Sequence, residues 1–157
     1  TDKETKNSTY ILAWTTTPWT LPGNVALAVG GDIDYTAFRI KGVKEMLIAA
    51  SKILSGTIFR DKEIEIVHND IKGKDLVGLK YEPLFDVPAF KQSGKKVYQI
   101  FAADFVTTED GTGIVHIASV YGEDDYNLGL KYDLPAVPML DEKDHFNQVV
   151  QNFLDLQ

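Results

Sequence analysis

Every apolar run in this chain is short. Seven runs of five or six residues recur: Tyr10–Trp14, Val25–Val29, Tyr35–Ile40, Glu45–Ala50, Glu63–His68, Val97–Ala102 and Gly113–Ala118. Between them recur turn signals such as glycine, proline, asparagine, aspartate and serine. That rhythm suits β-strands and is too broken for a helical bundle or a membrane span, which needs about eighteen apolar residues. Lys41-Gly42-Val43-Lys44 between the third and fourth runs predicts a hairpin. Glu63–His68 alternates Glu63 and Glu65 outward with Ile64 and Ile66 inward, the period of a half-buried strand.

Helix signals are few. Ser51–Leu54 opens with a Ser cap. Glu123–Tyr132 carries Tyr126, Leu130 and Tyr132 near helical spacing, with Glu123, Asp124 and Asp125 in a first turn where acids complement the helix dipole. Pro135 and Pro138 keep Leu134–Pro138 extended. The expectation is an α+β domain: a closed or strongly curved, barrel-like antiparallel core of six to eight strands with a few short helices. At 157 residues, 44% hydrophobic and 25% charged, the chain reads as one domain over 1–157, with a frayed opening at Thr1–Ser8.

Cysteine is absent, so neither a disulfide frame nor thiolate chemistry is available, in keeping with a cytoplasmic protein. No signal peptide opens the chain. A net charge of −7 argues against a general nucleic-acid binder and leaves room for a pocket that receives one nucleotide end. The basic pairs Lys41/Lys44, Lys72/Lys74 and Lys95/Lys96 each sit beside a glycine and read as solvated turns. There is no metal-ligating spacing and no Gly-x-Ser-x-Gly elbow, so neither a metal site nor a serine triad is expected.

Two segments could carry chemistry. Trp14–Asn24 reads W-T-T-T-P-W-T-L-P-G-N, with too many breakers for a strand. In an extended chain Thr15 and Thr17 share one face and Thr16 takes the other. Their hydroxyls donate and accept, which suits holding a water or an ester oxygen. A threonine-rich strand end closed by Pro-Trp packing fits the pattern as well. Gly111-Thr112-Gly113-Ile114-Val115-His116 offers two permissive glycines and places His116 near the strand's far end, ahead of the acidic run Glu123–Asp125. His116 is then a general base, an orienting donor or a satisfied structural histidine. His68 and His145 lack such company and belong on the surface.

Taken together, A-W-T-T-T-P-W-T-L-P-G-N at Ala13–Asn24, G-T-G-I-V-H at Gly111–His116 and G-E-D-D-Y at Gly122–Tyr126 resemble isoleucyl-tRNA synthetases, and within them the inserted editing domain (the connective polypeptide). The likeness runs from about Tyr10 to about Phe146. Valyl relatives carry T-T-R-P-E-T at the first motif, so Pro18-Trp19 favours the isoleucyl branch. The resemblance implies a barrel-like α+β fold and hydrolysis of valine wrongly esterified to the isoleucine tRNA, with valyl-adenylate as a further candidate. By motif, Thr15, Thr16, Thr17, His116 and Asp125 would be catalytic. Trp19, Asn24, Gly111, Thr112, Gly113, Ala118 and Asp124 would shape or bind substrate. His116 would face the valine side chain and help exclude isoleucine. Asp125, nine residues after His116 as in the family, would hold the ammonium.

No cofactor is implied. The partners implied are the 3′ end of tRNA(Ile) carrying valine and the rest of the synthetase chain, with no membrane and a monomeric fragment. Neither H-I-G-H nor K-M-S-K-S of the synthetic site occurs. The family's proline after His-x-Ala is Ser119 here, which would free the following loop. A valyl or leucyl editing domain, or a non-catalytic module binding the tRNA end, are the competing readings.

Overall fold

A computed structural model describes residues 8–143, 145–147 and 150. All but Ser8 of the expected frayed opening lies outside the described residues. Among the described residues there are seven strands: β1 Thr9–Ile11, β2 Ala26–Val29, β3 Asp34–Ile40, β4 Met46–Ala50, β5 Ile64–Lys72, β6 Gln99–Ala102 and β7 Ile114–Ile117. The α-helices that lie wholly within the described residues are α1 Gly73–Leu76, α2 Pro88–Gln92 and α3 Glu123–Tyr132. Short 3₁₀ turns occupy Pro18–Gly23, Ser51–Ser55 and Thr57–Phe59.

The strands form two sheets, ordered β1-β4-β3-β5 and β6-β2-β7. The smaller sheet is the middle layer of the molecule. Along β2, Ala26 and Ala28 point into one apolar core, which also holds Phe90 of α2 and Leu128 of α3. Leu27 and Val29 point into a second core, shared with Tyr35, Phe38, Ala49 and Ala50 of the larger sheet. A strand buried on both faces needs a continuous apolar run, and Val25–Val29 supplies it.

The α+β class is the one expected, but the sheets are mixed: β1 pairs parallel with β4, and β2 parallel with β6. Neither strand order closes on itself, so the barrel-like core is two open sheets. The parallel pairings follow from connectivity: β6 returns to β2 only after the whole larger sheet has been built, a crossover rather than a hairpin. The β3–β4 hairpin stands as expected. Ile66 does not point inward: it is 61% exposed. Its register with Phe38 is regular, and the two β3–β5 shifts, between Tyr35 and Ala37 and between Ala37 and Phe38, lie beyond it; residues 65–70 of this edge strand are all exposed.

Two contacts fix the loop before β7, and with it the site. Gly113 has φ +71°, and a Cβ there would lie 2.5 Å from Ala50 Cβ, so only glycine lets the loop close on β4. The buried Tyr35 hydroxyl donates to Gly113 O at 2.6 Å and accepts from Gly30 N–H at 3.1 Å. Burial pushes this phenol up to about 12, so it remains a donor.

α3 starts and ends where the acidic run and Tyr132 placed it. Gly129 brings it against Ser119, whose Oγ and Cβ lie 3.0 and 3.1 Å from where a Cβ would stand. The loop at Ser119 is therefore packed rather than freed: Ser119 is buried, and Tyr121 anchors the segment by accepting from Met139 N–H at 2.6 Å. The lysine clusters are solvated as expected, with Lys72 paired to Asp34 at 2.6 Å and Lys95 to Asp133 at 2.8 Å. No helix among the described residues is long and apolar enough to cross a membrane.

Candidate active site

The chain after β1 does not turn away from the middle sheet. Trp14 bridges to Val115 in parallel, its N–H donating to Ile114 O at 3.2 Å, which lays the threonine run beside β7. Pro18, lacking an N–H, then starts the 3₁₀ turn Pro18–Gly23 with Thr17 as its N-cap. A 3₁₀ turn has three residues per turn, so Thr17 and Thr20 fall on one face and Trp19 on another. Thr20 N–H and Oγ1–H both donate to Thr17 O, at 3.0 and 2.8 Å.

That face closes a cavity of about 290 Å³. Thr15, Thr16, Thr17 and Thr20 form one wall, Thr112 and Gly113 another, and His116 and Asp125 line it from β7 and α3. Thr15 accepts from Thr17 N–H at 3.0 Å, and the Thr15 and Thr17 hydroxyls lie 3.4 Å apart. Thr16 is exposed and sits at the rim, in line with the alternation expected of an extended segment. His116, in register with Leu27 of β2, is buried, with Nε2 3.0 Å from Thr20 Oγ1.

Electrostatics sharpen the cavity. Burial raises the Asp125 carboxyl above its usual range, an effect opposed by the Ala118 N–H that donates to Oδ2 at 3.0 Å and assisted by the neighbouring Asp124 charge. A carboxylate short of solvation is primed for a cation. Burial lowers His116, favouring the neutral imidazole. The cavity thus joins hydroxyls, a neutral ring and one under-solvated carboxylate. Among the described residues, no group of three His, Cys, Asp or Glu side chains is placed to hold a metal.

The structure brings Thr15, Thr16, Thr17, Thr112, Gly113, His116 and Asp125 together. It sets five other expected residues apart. Trp19 is 56% exposed and outside the cavity. Asn24 lies behind the turn, with Nδ2 donating to Ala26 O at 2.8 Å and Oδ1 accepting from Tyr81 at 2.5 Å. Both ends of its amide are engaged in holding the turn. Gly111 lies under Trp14, and Ala118 contributes its backbone N–H to Asp125. Asp124 faces a separate surface hollow with Asn127 and Lys131, whereas Asp125 lines the cavity. His68 and His145 are exposed, as expected.

Thr20, Trp14, Asp110 and Tyr121 line the cavity and were not among the expected residues. The signal for Thr20 was in the sequence: proline at the first position of a turn, with threonines on either side three apart.

Comparison with known proteins agrees with this geometry. No family model matches the chain. It is 45% identical over 147 residues to an isoleucine–tRNA ligase of Bdellovibrio bacteriovorus, covering 92% of this chain and 14% of that protein. It is 47% identical over 142 residues to the Clostridium acetobutylicum ligase, covering 90% and 13%. The chain belongs to the isoleucine–tRNA ligase family. It spans about one-seventh of the length of the ligases it matches. A Tetrahymena thermophila ligase is 44% identical over 153 residues. Among solved structures, GlLeuRS-CP1 superposes with a TM-score of 0.69 at 18% identity, covering 98% of this chain and 65% of that one. The Plasmodium falciparum cytosolic leucyl-tRNA synthetase editing domain gives 0.65 at 16% identity, covering 96% and 62%. The fold is therefore that of class I synthetase editing domains.

Proposed function

We propose that this chain edits: it hydrolyses the ester of valine mischarged on tRNA(Ile), and takes valyl-adenylate by the same chemistry. The observation that carries the reading is the single cavity in which the threonine cluster, His116 and the under-solvated Asp125 meet. Every aminoacyl ester carries a free α-ammonium, and Asp125 offers it a charge-assisted partner in a partly dry site. The ester is already activated, so hydrolysis needs an oriented water and a polarised carbonyl more than a strong base. Thr15 and Thr17 keep hydroxyls whose mutual contact is a long 3.4 Å, free to tighten on such a water or on the ester oxygen. No cofactor and no covalent intermediate enter this scheme.

His116 serves as a wall beside the side chain, admitting valine and clashing with one more methylene. A second sieve is needed because one methylene in a hydrophobic pocket is worth only about 1–3 kcal/mol, a limit for which the isoleucine enzyme is itself the usual example. Thr112 and Gly113 bound the ester end. The partners are the acylated 3′ end of the tRNA and the remainder of the ligase, in the cytoplasm. The net charge of −7 leaves most tRNA affinity to that remainder.

The test is release of valine from valyl-tRNA(Ile) by the ligase that contains this chain. The intact enzyme hydrolyses the ester, and Asp125→Ala loses that hydrolysis while its circular dichroism stays native. Tight binding without hydrolysis by the intact enzyme overturns the reading.

A further inference from the structure

His116 is the one buried histidine among the described residues, and its two nitrogens are treated unequally. Nε2 lies 3.0 Å from Thr20 Oγ1. Nδ1 is buried and has no hydrogen-bond partner. Thr20 has a single hydroxyl proton, and that proton is committed: Oγ1 lies 2.8 Å from Thr17 O, a carbonyl that only accepts. Thr20 Oγ1 therefore meets His116 with a lone pair, and Nε2 must be the donor. The other tautomer sets two lone pairs against each other at 3.0 Å and leaves an N–H buried without an acceptor. An orphaned buried donor is rarer and costlier than an orphaned acceptor.

We infer that Thr20 is a positioning residue that locks His116 as its neutral Nε2–H tautomer and fixes the ring as the wall of the acyl pocket, through the relay His116 Nε2–H to Thr20 Oγ1–H to Thr17 O. The inference rests on the proposed editing reading only for its effect on selectivity; the tautomer itself follows from the hydrogen bonds. It changes what His116 does. Nε2 spends its proton inside the protein, and the ring's lone pair lies on Nδ1, which is buried away from the cavity water, so the ring is not the general base of the ground-state site. The 3₁₀ turn that presents Thr17 to the ester and the ring that bounds the side chain become one rigid unit, joined at Thr20.

Two readouts test this. The chain has three histidines, and only His116 is buried, so two-bond ¹H–¹⁵N spectra of the ¹⁵N-histidine-labelled full chain resolve its tautomer. Native protein shows a protonated Nε2 and a bare Nδ1. Thr20→Val, which keeps shape and removes the hydroxyl, mixes the tautomers. In the ligase it lowers the preference for valyl over isoleucyl ester by about tenfold, the weight of one hydrogen bond. Thr20→Ser restores both. A protonated Nδ1 in the native chain overturns the inference even if Thr20→Val fails to fold. An unchanged tautomer and unchanged selectivity in a folded Thr20→Val also overturn it. A native enzyme that hydrolyses neither ester defeats the editing reading while the tautomer result stands.

Discussion

Replacing Gly111 by alanine probes how the mouth of the cavity is held. Gly111 has φ +73°, and an added Cβ would lie 2.8 Å from Trp14 Cβ, 2.8 Å from Cγ and 2.9 Å from Cδ1. These are the root atoms of the side chain, which cannot swing aside as a flexible tip does. Two costs add. A left-handed backbone costs an L-residue about 1–2 kcal/mol. Forcing a methyl into a filled contact costs about 1–3 kcal/mol more. Gly42 isolates the first: its φ is +85°, and an added Cβ meets nothing within 4 Å. At about 2–4 °C per kcal/mol for a domain this size, Gly42→Ala should lower Tm by roughly 2–8 °C. Gly111→Ala should lower it further by a comparable step and shift the indole fluorescence of Trp14. Thermal melts of the two variants side by side make the measurement. Equal melting temperatures would refute the claim that Trp14 is seated on Gly111.

Three further outcomes follow from the same geometry. Asp125→Asn keeps an acceptor for the Ala118 N–H and removes a charge that burial penalises. The raised carboxyl favours folding below the usual value of 3.8 and loses that advantage as pH rises through its folded pKa. The variant should therefore melt no lower than the native protein at pH 7 while losing deacylation, and a lower melt would mark the carboxylate as structural. His116 titrates in the opposite sense: its depressed pKa leaves stability complete above 6.5 and erodes it as pH falls below that. Urea midpoints between pH 7 and 5 should fall, and His116→Gln should flatten the slope. Tyr81→Phe strands Asn24 Oδ1 at the back of the threonine turn and should cost about 1–3 kcal/mol in urea titration; no change would remove the anchoring role given to this pair.

Local pattern carried much of the fold. The hairpin of β3 and β4 was legible because its turn chemistry lies between its strands, and α3 because its first-turn acids mark its start. The parallel partners of β2 and β4 were not, since no local signal says which distant strand returns alongside. Ile66 was misjudged for a related reason: alternation shows which residues share a face and not whether anything covers that face, and residues 65–70 of the edge strand β5 are all exposed. In the site, motif spacing located the threonine run, His116 and Asp125. It did not separate residues that touch the cavity from those that brace it. Asn24 and Gly111 share the motifs of their neighbours, yet one holds the turn through Tyr81 and the other seats Trp14. Only the placement of side chains tells a wall from its support.

The central claim is that one cavity hydrolyses an aminoacyl ester and measures its side chain. Single-turnover deacylation of valyl-tRNA(Ile) and isoleucyl-tRNA(Ile) by the ligase containing this chain tests it most directly. The account predicts that the valyl ester is cleared and the isoleucyl ester spared by at least about tenfold, the floor set by one excluded methylene. Equal rates for the two esters, or stability of both, would contradict it.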